Sequence, residues 1–179
     1  MRIIGGEFRR RLIDFPDAEG LRPTPDRVRE TLFNWLGQEL HGRRCLDLFA
    51  GSGALGFEAA SRGAAQVVMV EKNRKVYQSL QENAKKLGCI NVALHCADGL
   101  EFARRKGGSY DVIFLDPPFD AGYLPQLMPQ LAEILAADGV VYVESATLFE
   151  PGAGWQALKR ARAGAVHYQL LKYLQEAAQ

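Results

Sequence analysis

The motif Asp116-Pro117-Pro118-Phe119 directly follows an apolar run at 112–115, which predicts a buried strand that ends where the carboxylate begins. Proline has no N–H donor, so this turn offers a carboxylate, backbone carbonyl oxygens and an aromatic ring. These groups fit a flat ring with an NH2 substituent, because Asp116 and the Pro117 carbonyl can accept its two N–H bonds. The alternative is a tight turn in which Asp116 only hydrogen-bonds to the local backbone.

Acidic residues also stand at the ends of other predicted strands. Apolar runs predict strands at 45–49, 67–70, 91–96, 110–115 and 140–144. Helices are predicted at about 25–40, from the glycine-rich turn 50–56 to about 61, at 73–87, after 99 to about 106, and at 123–136. This alternation predicts an α/β fold with a parallel sheet covered on both faces. Glu71, Asp98 and Asp116 then lie at the carboxyl ends of their strands, and Asp47 lies just inside the end of the first strand. In a parallel α/β sheet, ligands bind at the carboxyl ends of the strands.

The last part of the chain, 157–174, contains two alternating β-like runs that meet near Ala163 and Gly164. They predict an antiparallel hairpin that closes the sheet, and a short helical end is the alternative. No internal repeat, low-complexity tract or linker divides the 179 residues, so we predict a single domain.

The glycine-rich turn has the spacing Gly51-x-Gly53-x-x-Gly56, which matches a dinucleotide-binding fingerprint. Glu71 stands about where an acid would bind the ribose of NAD. Asp47 weighs against this interpretation, because its carboxylate would lie beside a negatively charged pyrophosphate. The 179 residues also leave no room for a second, substrate-binding domain. A nicotinamide-dependent oxidoreductase is therefore the weaker alternative.

A cofactor with a cationic amino-acid end fits this turn better. S-adenosylmethionine has an ammonium and a sulfonium that Asp47 would attract, and the glycines would let the backbone approach its methionine part. Glu71 can accept from both ribose hydroxyls and Asp98 from the adenine amino group, while the Gly99 N–H can donate to a ring nitrogen. Helix capping or simple surface exposure is the structural alternative for Glu71 and Asp98. The predicted cofactor-binding residues are Thr24, Asp47, Phe49, Gly51, Ser52, Gly53, Glu71, Lys72, Asp98 and Gly99.

The N-terminal stretch is rich in arginine, with four arginines and one acid in the first thirteen residues. Gly5-Gly6 between β-capable runs predicts a small hairpin or a bent strand. Arginine side chains match phosphate oxygens, which predicts a phosphate-contacting arm. The alternative is a solvated edge strand that its charges protect from aggregation. The predicted phosphate-contacting residues are Arg2, Arg9, Arg10, Arg11, Arg22 and Arg27.

An amphipathic helix is predicted after this arm, because apolar residues recur at helical spacing from Val28 to Leu36. Thr24 is predicted to cap it, with Pro25 in its first position and Arg27 in its first turn. The N-terminus of such a helix can attract an anion such as a carboxylate.

Composition limits the partners and the compartment. The net charge of +1 gives no global attraction for a polyanion, so nucleic-acid contacts must come from a local patch. Three cysteines without a CxxC pair favour a reducing compartment over a disulfide framework or a zinc site. The three histidines lack metal-ligand spacing, so we predict no metal. No long apolar run begins the chain, which predicts neither a signal peptide nor a membrane span and favours the cytoplasm.

The stretch 47–56, Glu71, Asp98 and the Asp116 motif together resemble class I methyltransferases that act on exocyclic or amide nitrogens. The stretch 22–36, RPTPDRVRETLFNWL, after an arginine-rich start, is similar to the RsmD family of 16S rRNA guanine-N2 methyltransferases. This resemblance covers nearly the whole chain. It implies a Rossmann-like, mostly parallel sheet with a C-terminal antiparallel hairpin, and S-adenosylmethionine as cofactor. It also implies an RNA-contacting hairpin and helix extension at 1–40 and a catalytic core at 41–179.

The resemblance implies that a monomer methylates the N2 amine of a guanine in 16S rRNA, either naked or within a partly or fully assembled small subunit. Asp116, Pro117, Pro118 and Phe119 are then the catalytic residues, which orient the amine and stack on a base that has left its stack. DNA adenine-N6 and protein glutamine methyltransferases share the Asp-Pro-Pro-aromatic motif, so they stay alternatives. A catalytically silent RNA-binding protein of the same fold is a further one.

Overall fold

The structure is a computed structural model that describes residues 1–18, 21, 23–105, 107–119 and 122–174. The helices are α1 (Asp26–Leu36), α2 (Ala54–Ser61), α3 (Arg74–Leu87), α4 (Gly99–Arg104) and α5 (Tyr123–Ile134). The strands are β1 (Arg44–Asp47), β2 (Gln66–Glu71), β3 (Val92–Cys96), β4 (Tyr110–Leu115), β5 (Leu135–Ser145), β6 (Trp155–Ala163) and β7 (Val166–Tyr173). Within these ranges, no helix is long and apolar enough to cross a membrane.

The seven strands form one sheet in the order β3-β2-β1-β4-β5-β7-β6. Strands β1 to β5 pair in parallel, and β7 runs antiparallel to both β5 and β6. The predicted mostly parallel α/β sheet with a closing hairpin is therefore confirmed, and β7 lies where a helical end was the alternative. The strand order reverses at β1, so the glycine-rich turn after β1 and the Asp116 motif after β4 meet at the switch point.

Apolar side chains cover both faces of the sheet, which explains why its strands are continuous apolar runs. In β4, Phe114 belongs to the core beneath α1 and α2, whereas Ile113 and Leu115 belong to the core beneath α4 and α5. The rings of Phe33 in α1 and Phe114 lie 6.1 Å apart, centroid to centroid. Because the strand is clamped on both faces, the residue after it has a fixed position at the edge of the sheet.

Helix α1 begins and ends differently from the prediction. Pro25 is its N-cap residue and no side chain caps it, so the predicted Thr24 cap was wrong. The Thr24 hydroxyl instead donates a hydrogen bond to Glu144, at 3.1 Å. The helix ends at Leu36 because Gly37 adopts the left-handed conformation, with φ 94°.

The N-terminal segment, residues 1–13, packs on helices and does not join the sheet. Arg2 and Leu12 form an isolated antiparallel bridge, so the predicted hairpin is reduced to one bridge around a tight turn. The turn docks on the end of α2, where the Glu7 N–H donates to the Ser61 carbonyl at 2.7 Å. The alternative of an exposed edge strand is therefore wrong.

A buried ionic cluster, formed by Arg29, Glu58 and Arg62, attaches this segment to the helices. Arg29 and Glu58 are fully buried, with Nη1 and Oε2 3.2 Å apart. The Arg62 Nε lies 2.9 Å from the other oxygen, Oε1. The amides of Ile4 and Gly5 also donate to the Glu58 carboxylate, at 2.9 and 2.8 Å. One carboxylate thus joins α1, α2 and the N-terminal segment, which the sequence did not predict.

Candidate active site

Five carboxylates lie along the carboxyl edge of the sheet. Asp47 and Glu71 end β1 and β2, and Asp98 and Asp116 follow β3 and β4. The parallel pairing of these four strands brings together the four acids that the sequence singled out. Glu144, the next-to-last residue of β5, is an addition that the sequence reasoning missed.

Asp116 is half-buried beside an exposed aromatic ring. Pro117 is buried, Pro118 is exposed, and the side chain of Phe119 is 45% exposed. None of the residues that the structure describes donates a hydrogen bond to the Asp116 carboxylate. Desolvation, followed by the negative charges of Glu144 and Asp47, raises the pKa of Asp116 well above its ordinary value of 3.8. Among the described residues, the turn therefore presents acceptors without a donor and an open ring, unlike a turn in which Asp116 bonds to its own backbone.

Glu144 lies beside Asp116, because β4 and β5 are paired in parallel and both residues are at their carboxyl ends. The side chain is buried, and its Oε1 accepts from the hydroxyls of Thr24 and Tyr142 at 3.1 and 2.9 Å. Burial raises the pKa of Glu144, while these two hydrogen bonds lower it. The Thr24 hydroxyl is thus bonded to a buried carboxylate, and the contact of Thr24 with a cofactor stays a prediction.

Asp47 lies beneath the glycine-rich turn and is only 2% exposed. Its Oδ2 accepts from the Gly56 N–H at 3.1 Å. Burial raises the pKa of Asp47 to about 7, with smaller raising effects from Glu71 and Glu144, while backbone hydrogen bonds from Phe49 and Gly56 lower it. The carboxylate therefore fixes the turn from below, and its attraction for an ammonium group stays a prediction.

The glycines after β1 are required by packing within the turn. Gly53 has φ 82°, and a Cβ there would lie 2.5 Å from the ring of Phe57. A Cβ on Gly56 would lie 2.7 Å from the Met69 side chain. Neither position therefore has room for a side chain. Ser52, which lies between Gly51 and Gly53, is buried. The glycines bring α2 close to β2, in addition to any approach to a ligand.

Glu71 connects the glycine-rich turn to α3. Its Oε2 accepts from the Gly51 N–H at 3.0 Å, and its Oε1 accepts from the Asn73 N–H at 2.7 Å. A carboxylate has about four acceptor positions, so one on each oxygen is left for the two predicted ribose hydroxyls. The side chain of Asn73 caps α3, so helix capping does not explain Glu71.

Asp98 is a helix cap. Its Oδ1 accepts from the amides of Leu100 and Glu101 at 2.9 and 3.2 Å, so the structural alternative holds for this oxygen. Its Oδ2 accepts from the Tyr123 hydroxyl at 3.2 Å. An adenine amino group would therefore share this carboxylate with the first turn of α4.

Tyr123 is a second residue of this edge that the sequence reasoning missed. Its ring lies 5.0 Å from the ring of Phe49, edge to face, and its hydroxyl accepts from Lys72 Nζ at 3.2 Å. A Cβ on Gly99 would lie 3.1 Å from the Phe49 ring. Three predicted cofactor-binding residues, Phe49, Lys72 and Asp98, thus contact one tyrosine, and a fourth, Gly99, lies against the Phe49 ring. The signal of Tyr123 in the sequence is its position, shortly after the Asp116 motif at the start of a predicted helix.

The chemistry of these residues fits S-adenosylmethionine. Glu71 has free acceptor positions for the ribose, and Phe49 and Tyr123 provide flat apolar surface beside Asp98 for an adenine ring. The carboxyl group of Asp47 is buried beneath the glycine-rich turn with its pKa raised to about 7, and a bound cationic end would favour its charged form.

Glu71→Ala and Asp98→Asn should each weaken S-adenosylmethionine binding by about tenfold or more, since a hydrogen bond to a charged group contributes about 1.5–3 kcal/mol. Asparagine keeps the cap of α4, so Asp98→Asn removes the charge without releasing the helix. Isothermal calorimetry measures the affinity, with Glu82→Ala, an exposed acid of α3, as the control. An unchanged affinity would leave both acids with the structural contacts described above and nothing more.

The predicted phosphate-contacting arginines are exposed but do not share one edge. Arg9, Arg10 and Arg11 belong to the turn that docks on the end of α2, at the edge of the sheet opposite Asp116. The Arg11 side chain donates to a backbone carbonyl near the end of α3. Arg2 is exposed beside them, and Arg27 is exposed in the first turn of α1. Arg22 lies outside the described residues. Their contact with RNA stays a prediction.

Of the three cysteines, Cys96 ends β3 and is exposed, whereas Cys45 and Cys89 lie away from this edge. Cys45 is buried, and burial raises the pKa of its thiol to about 12. Cys89 is partly buried, and the pKa of its thiol is raised to about 11 for the same reason. Across the described ranges, no group of three or more His, Cys, Asp or Glu side chains is arranged to hold a metal ion.

The sequence matches a protein family over almost its full length. The family model described as "Conserved hypothetical protein 95" matches residues 1–172. "Ribosomal RNA small subunit methyltransferase D" of Escherichia coli (strain K12) is 43% identical over 175 residues, which are 95% of this chain and 88% of that protein. The protein of the same name from Haemophilus influenzae is 40% identical over 179 residues, with 95% and 92% covered.

Solved structures of other proteins have the same fold as this chain. "Putative methyltransferase yhhF" from Escherichia coli superposes with a TM-score of 0.90 at 39% identity, covering 98% of this chain and 99% of that one. An RNA methyltransferase from Salinibacter ruber in complex with S-adenosyl-L-homocysteine has a TM-score of 0.69 over 88% of this chain and 97% of that one. At 20% identity, this second likeness shows the class I methyltransferase fold alone.

Proposed function

The chain belongs to the family of ribosomal RNA small subunit methyltransferase D, described as Conserved hypothetical protein 95, and we propose that it methylates the N2 amine of a guanine in 16S rRNA. S-adenosylmethionine is the methyl donor. The names of the relatives support the ribosomal RNA substrate. The choice of an exocyclic amine rests on the Asp116 motif and on its resemblance to amino-methyltransferases.

One observation supports amino-group chemistry above the others. The Asp116 carboxylate accepts no hydrogen bond from the described residues, although it is half-buried and lies next to the exposed Phe119 ring. An NH2 group on a flat ring needs two acceptors, and Asp116 and the Pro117 carbonyl provide them. Stacking of the base on Phe119 would contribute about 1–3 kcal/mol.

The residues of the turn would act by orienting the amine. The N2 lone pair of guanine is delocalised into the ring, so N2 is a poor nucleophile. Acceptance of both N–H bonds by Asp116 and the Pro117 carbonyl favours a pyramidal nitrogen and directs its lone pair in line with the methyl group. The bound cofactor supplies an activated methyl group on a sulfonium. Asp116 can then take the proton that N2 loses, because its raised pKa makes it a better base than an ordinary carboxylate.

The pH dependence of kcat should report the ionisation of Asp116. The anion accepts the N–H bonds, so kcat should rise with pH through the raised pKa of Asp116, well to the alkaline side of 3.8. Glu144→Gln removes a neighbouring negative charge, so the acidic limb should move to lower pH, while Glu101→Gln, an exposed acid of α4, should not move it. If the acidic limb of the kcat profile lies at the same pH in Glu144→Gln as in the unaltered protein, the charge of Glu144 does not influence Asp116.

Mass spectrometry of nucleosides tests the proposed activity. Small ribosomal subunits and naked 16S rRNA from cells that lack this protein are incubated with the purified protein and labelled S-adenosylmethionine. We expect N2-methylguanosine in 16S rRNA, and no label in DNA or protein supplied in parallel. Label on adenine N6 or on glutamine would assign one of the other amino-methyltransferase activities. A thermal shift with NAD but not with S-adenosylhomocysteine would instead favour an oxidoreductase.

The proposal includes the setting in which the protein works. We propose a monomer in the cytoplasm, with an RNA-contacting extension at 1–40 and a catalytic core at 41–179. The buried ionic cluster supports a rigid attachment of the extension to the core. The comparison of naked 16S rRNA with small subunits identifies the form of the substrate.

A further inference from the structure

The hairpin of β6 and β7, residues 155–173, is a basic element in an almost neutral protein. It contains four basic residues, Lys159, Arg160, Arg162 and Lys172, and no Asp or Glu. The whole chain has 22 Lys and Arg and 21 Asp and Glu, so the rest has 18 basic and 21 acidic residues. The net positive charge of the protein therefore comes from this hairpin, which we name the basic hairpin.

The tip of the basic hairpin lies at the same edge of the sheet as Asp116. In the antiparallel pair of β5 and β7, Ser145 at the end of β5 is opposite His167. Strand β6 ends at Ala163, so the connecting turn projects beyond that edge. β6 is the outer strand of the sheet and the third strand from β4, which is about 14 Å at the usual strand spacing.

Two cations of β6, Arg162 near this tip and Lys159 in the middle of the strand, are not neutralised by the described residues. Lys159 and Arg162 are exposed, and neither forms an ion pair in the part of the chain that the structure describes. The Arg162 Nε donates only to the carbonyl of Gly164, at 2.8 Å. Arg160 forms an exposed ion pair with Glu150, at 3.2 Å, and such pairs contribute little. The charge of this surface is therefore available to an anionic partner.

The arginine-rich turn of the N-terminal segment has a different environment. Arg9 lines a groove of about 660 Å³ that also includes the acids Glu7, Glu30 and Glu39. This groove lies where α2 ends, at the edge opposite Asp116. A polyanion at this edge would meet acidic side chains as well as arginines, and it would lie far from the reacting base.

We propose that the basic hairpin binds the RNA phosphates that flank the target base and so positions this base at Asp116. The proposal rests on the proposed function, because it takes RNA as the substrate. The hairpin is close enough to Asp116 to contact the nucleotides next to the base in the site. Phosphate contacts fix the position of a nucleic acid and do not read its sequence. The basic hairpin therefore determines affinity and placement, whereas the Asp116 motif determines the chemistry.

The double variant Lys159→Gln/Arg162→Gln tests this proposal against the charge-matched control Lys85→Gln/Arg104→Gln, which removes two exposed cations from the last turns of α3 and α4, at the edge opposite Asp116. The affinity for 16S rRNA is measured by filter binding from 50 to 200 mM salt. The slope of log K against log salt should fall by about 0.7 for each phosphate of single-stranded RNA that is no longer neutralised, so by about 1.4 in the hairpin variant. KM for small ribosomal subunits should rise by about tenfold with kcat almost unchanged, because the contacts are electrostatic and lie outside the Asp116 motif.

The salt slope separates the possible outcomes. The proposal is supported if log K depends less steeply on log salt in the hairpin variant than in the control. Slopes that stay unchanged in the hairpin variant, or that fall equally in both variants, overturn it. S-adenosylmethionine affinity and thermal stability of both variants show whether the fold is intact. If the unaltered protein binds 16S rRNA but transfers no methyl group, the proposed function is wrong. The salt dependence of binding then still shows whether the basic hairpin contacts RNA phosphates.

Discussion

Asp116→Asn should lower kcat for methyl transfer by about 10²–10³-fold, the size of loss seen when one group that stabilises a transition state is removed. Asparagine has almost the same shape, but it is neutral, keeps one acceptor oxygen and replaces the other with a donor. The NH2 group would face the amine of the substrate, and no base would remain for the departing proton. The affinity for S-adenosylmethionine should stay unchanged, because the predicted cofactor-binding residues do not include Asp116. Single-turnover kinetics and calorimetry measure the two effects separately.

Asp111→Asn is the matched control, since Asp111 lies on the same strand, β4, near its opposite end. Its carboxylate accepts from the Arg44 amide at 2.7 Å, far from the catalytic edge. This variant should transfer methyl groups at the unaltered rate. Near-normal turnover by Asp116→Asn would mean that substrate binding alone orients the amine, and Asp116 would lose its proposed role.

The carboxyl-edge acids Asp47, Glu71, Asp98 and Asp116 could be placed from the sequence because the pattern of a parallel α/β sheet is local. Each apolar run identifies a strand, and the residue that ends or follows it must lie at the same edge as its equivalents. Contacts of these acids could not be predicted in this way. Whether Asp98 caps α4 or faces a ligand depends on the conformation of two backbone amides, and in the structure its Oδ1 does the former.

Thr24 and Glu144 show why the rest of the site was missed. A threonine before a proline and an amphipathic run is a common start of a helix, so the local rule predicted a cap. The hydroxyl instead bonds to a buried carboxylate 120 positions away in the chain. Glu144 itself ends an apolar run of the sequence, where no pattern shows whether a single acid is buried or exposed. In both cases a distant partner outweighs the local preference.

The buried position of Arg29 was not predicted, for a related reason. Charged residues are mostly exposed, so the local pattern of α1 does not distinguish Arg29 from the exposed arginines. Arg29 is fully buried, where it pairs with Glu58 on a different helix and with Asp26 in the first turn of its own helix. The exposed arginines Arg9 and Arg10 were correctly expected on the surface, but the sequence could not tell which edge of the sheet they would occupy.

Glu58→Ala should lower the free energy of unfolding by about 3–5 kcal/mol, the usual cost of removing one partner from a buried ion pair. The change leaves the buried Arg29 guanidinium with only Asp26, a largely exposed carboxylate, as its ion-pair partner, and Arg62 loses its partner on the same helix. The amides of Ile4 and Gly5 lose their acceptor as well, so the N-terminal segment should detach before the sheet unfolds. Urea denaturation measures the first effect, and hydrogen exchange at Ile4 and Gly5 measures the second.

Asp138→Ala is the control for Glu58→Ala, because Asp138 is almost fully exposed and its ion pair with Lys172 should contribute little. A second variant, Arg29→Met/Glu58→Met/Arg62→Met, replaces the whole buried ionic cluster with apolar side chains. It should recover much of the stability that Glu58→Ala removes, since no buried charge is left without a partner. Equal stability of Glu58→Ala and the unaltered protein would show that water enters the cluster and solvates both arginines. If the triple variant were no more stable than Glu58→Ala, the backbone contacts of Glu58 would be its main contribution.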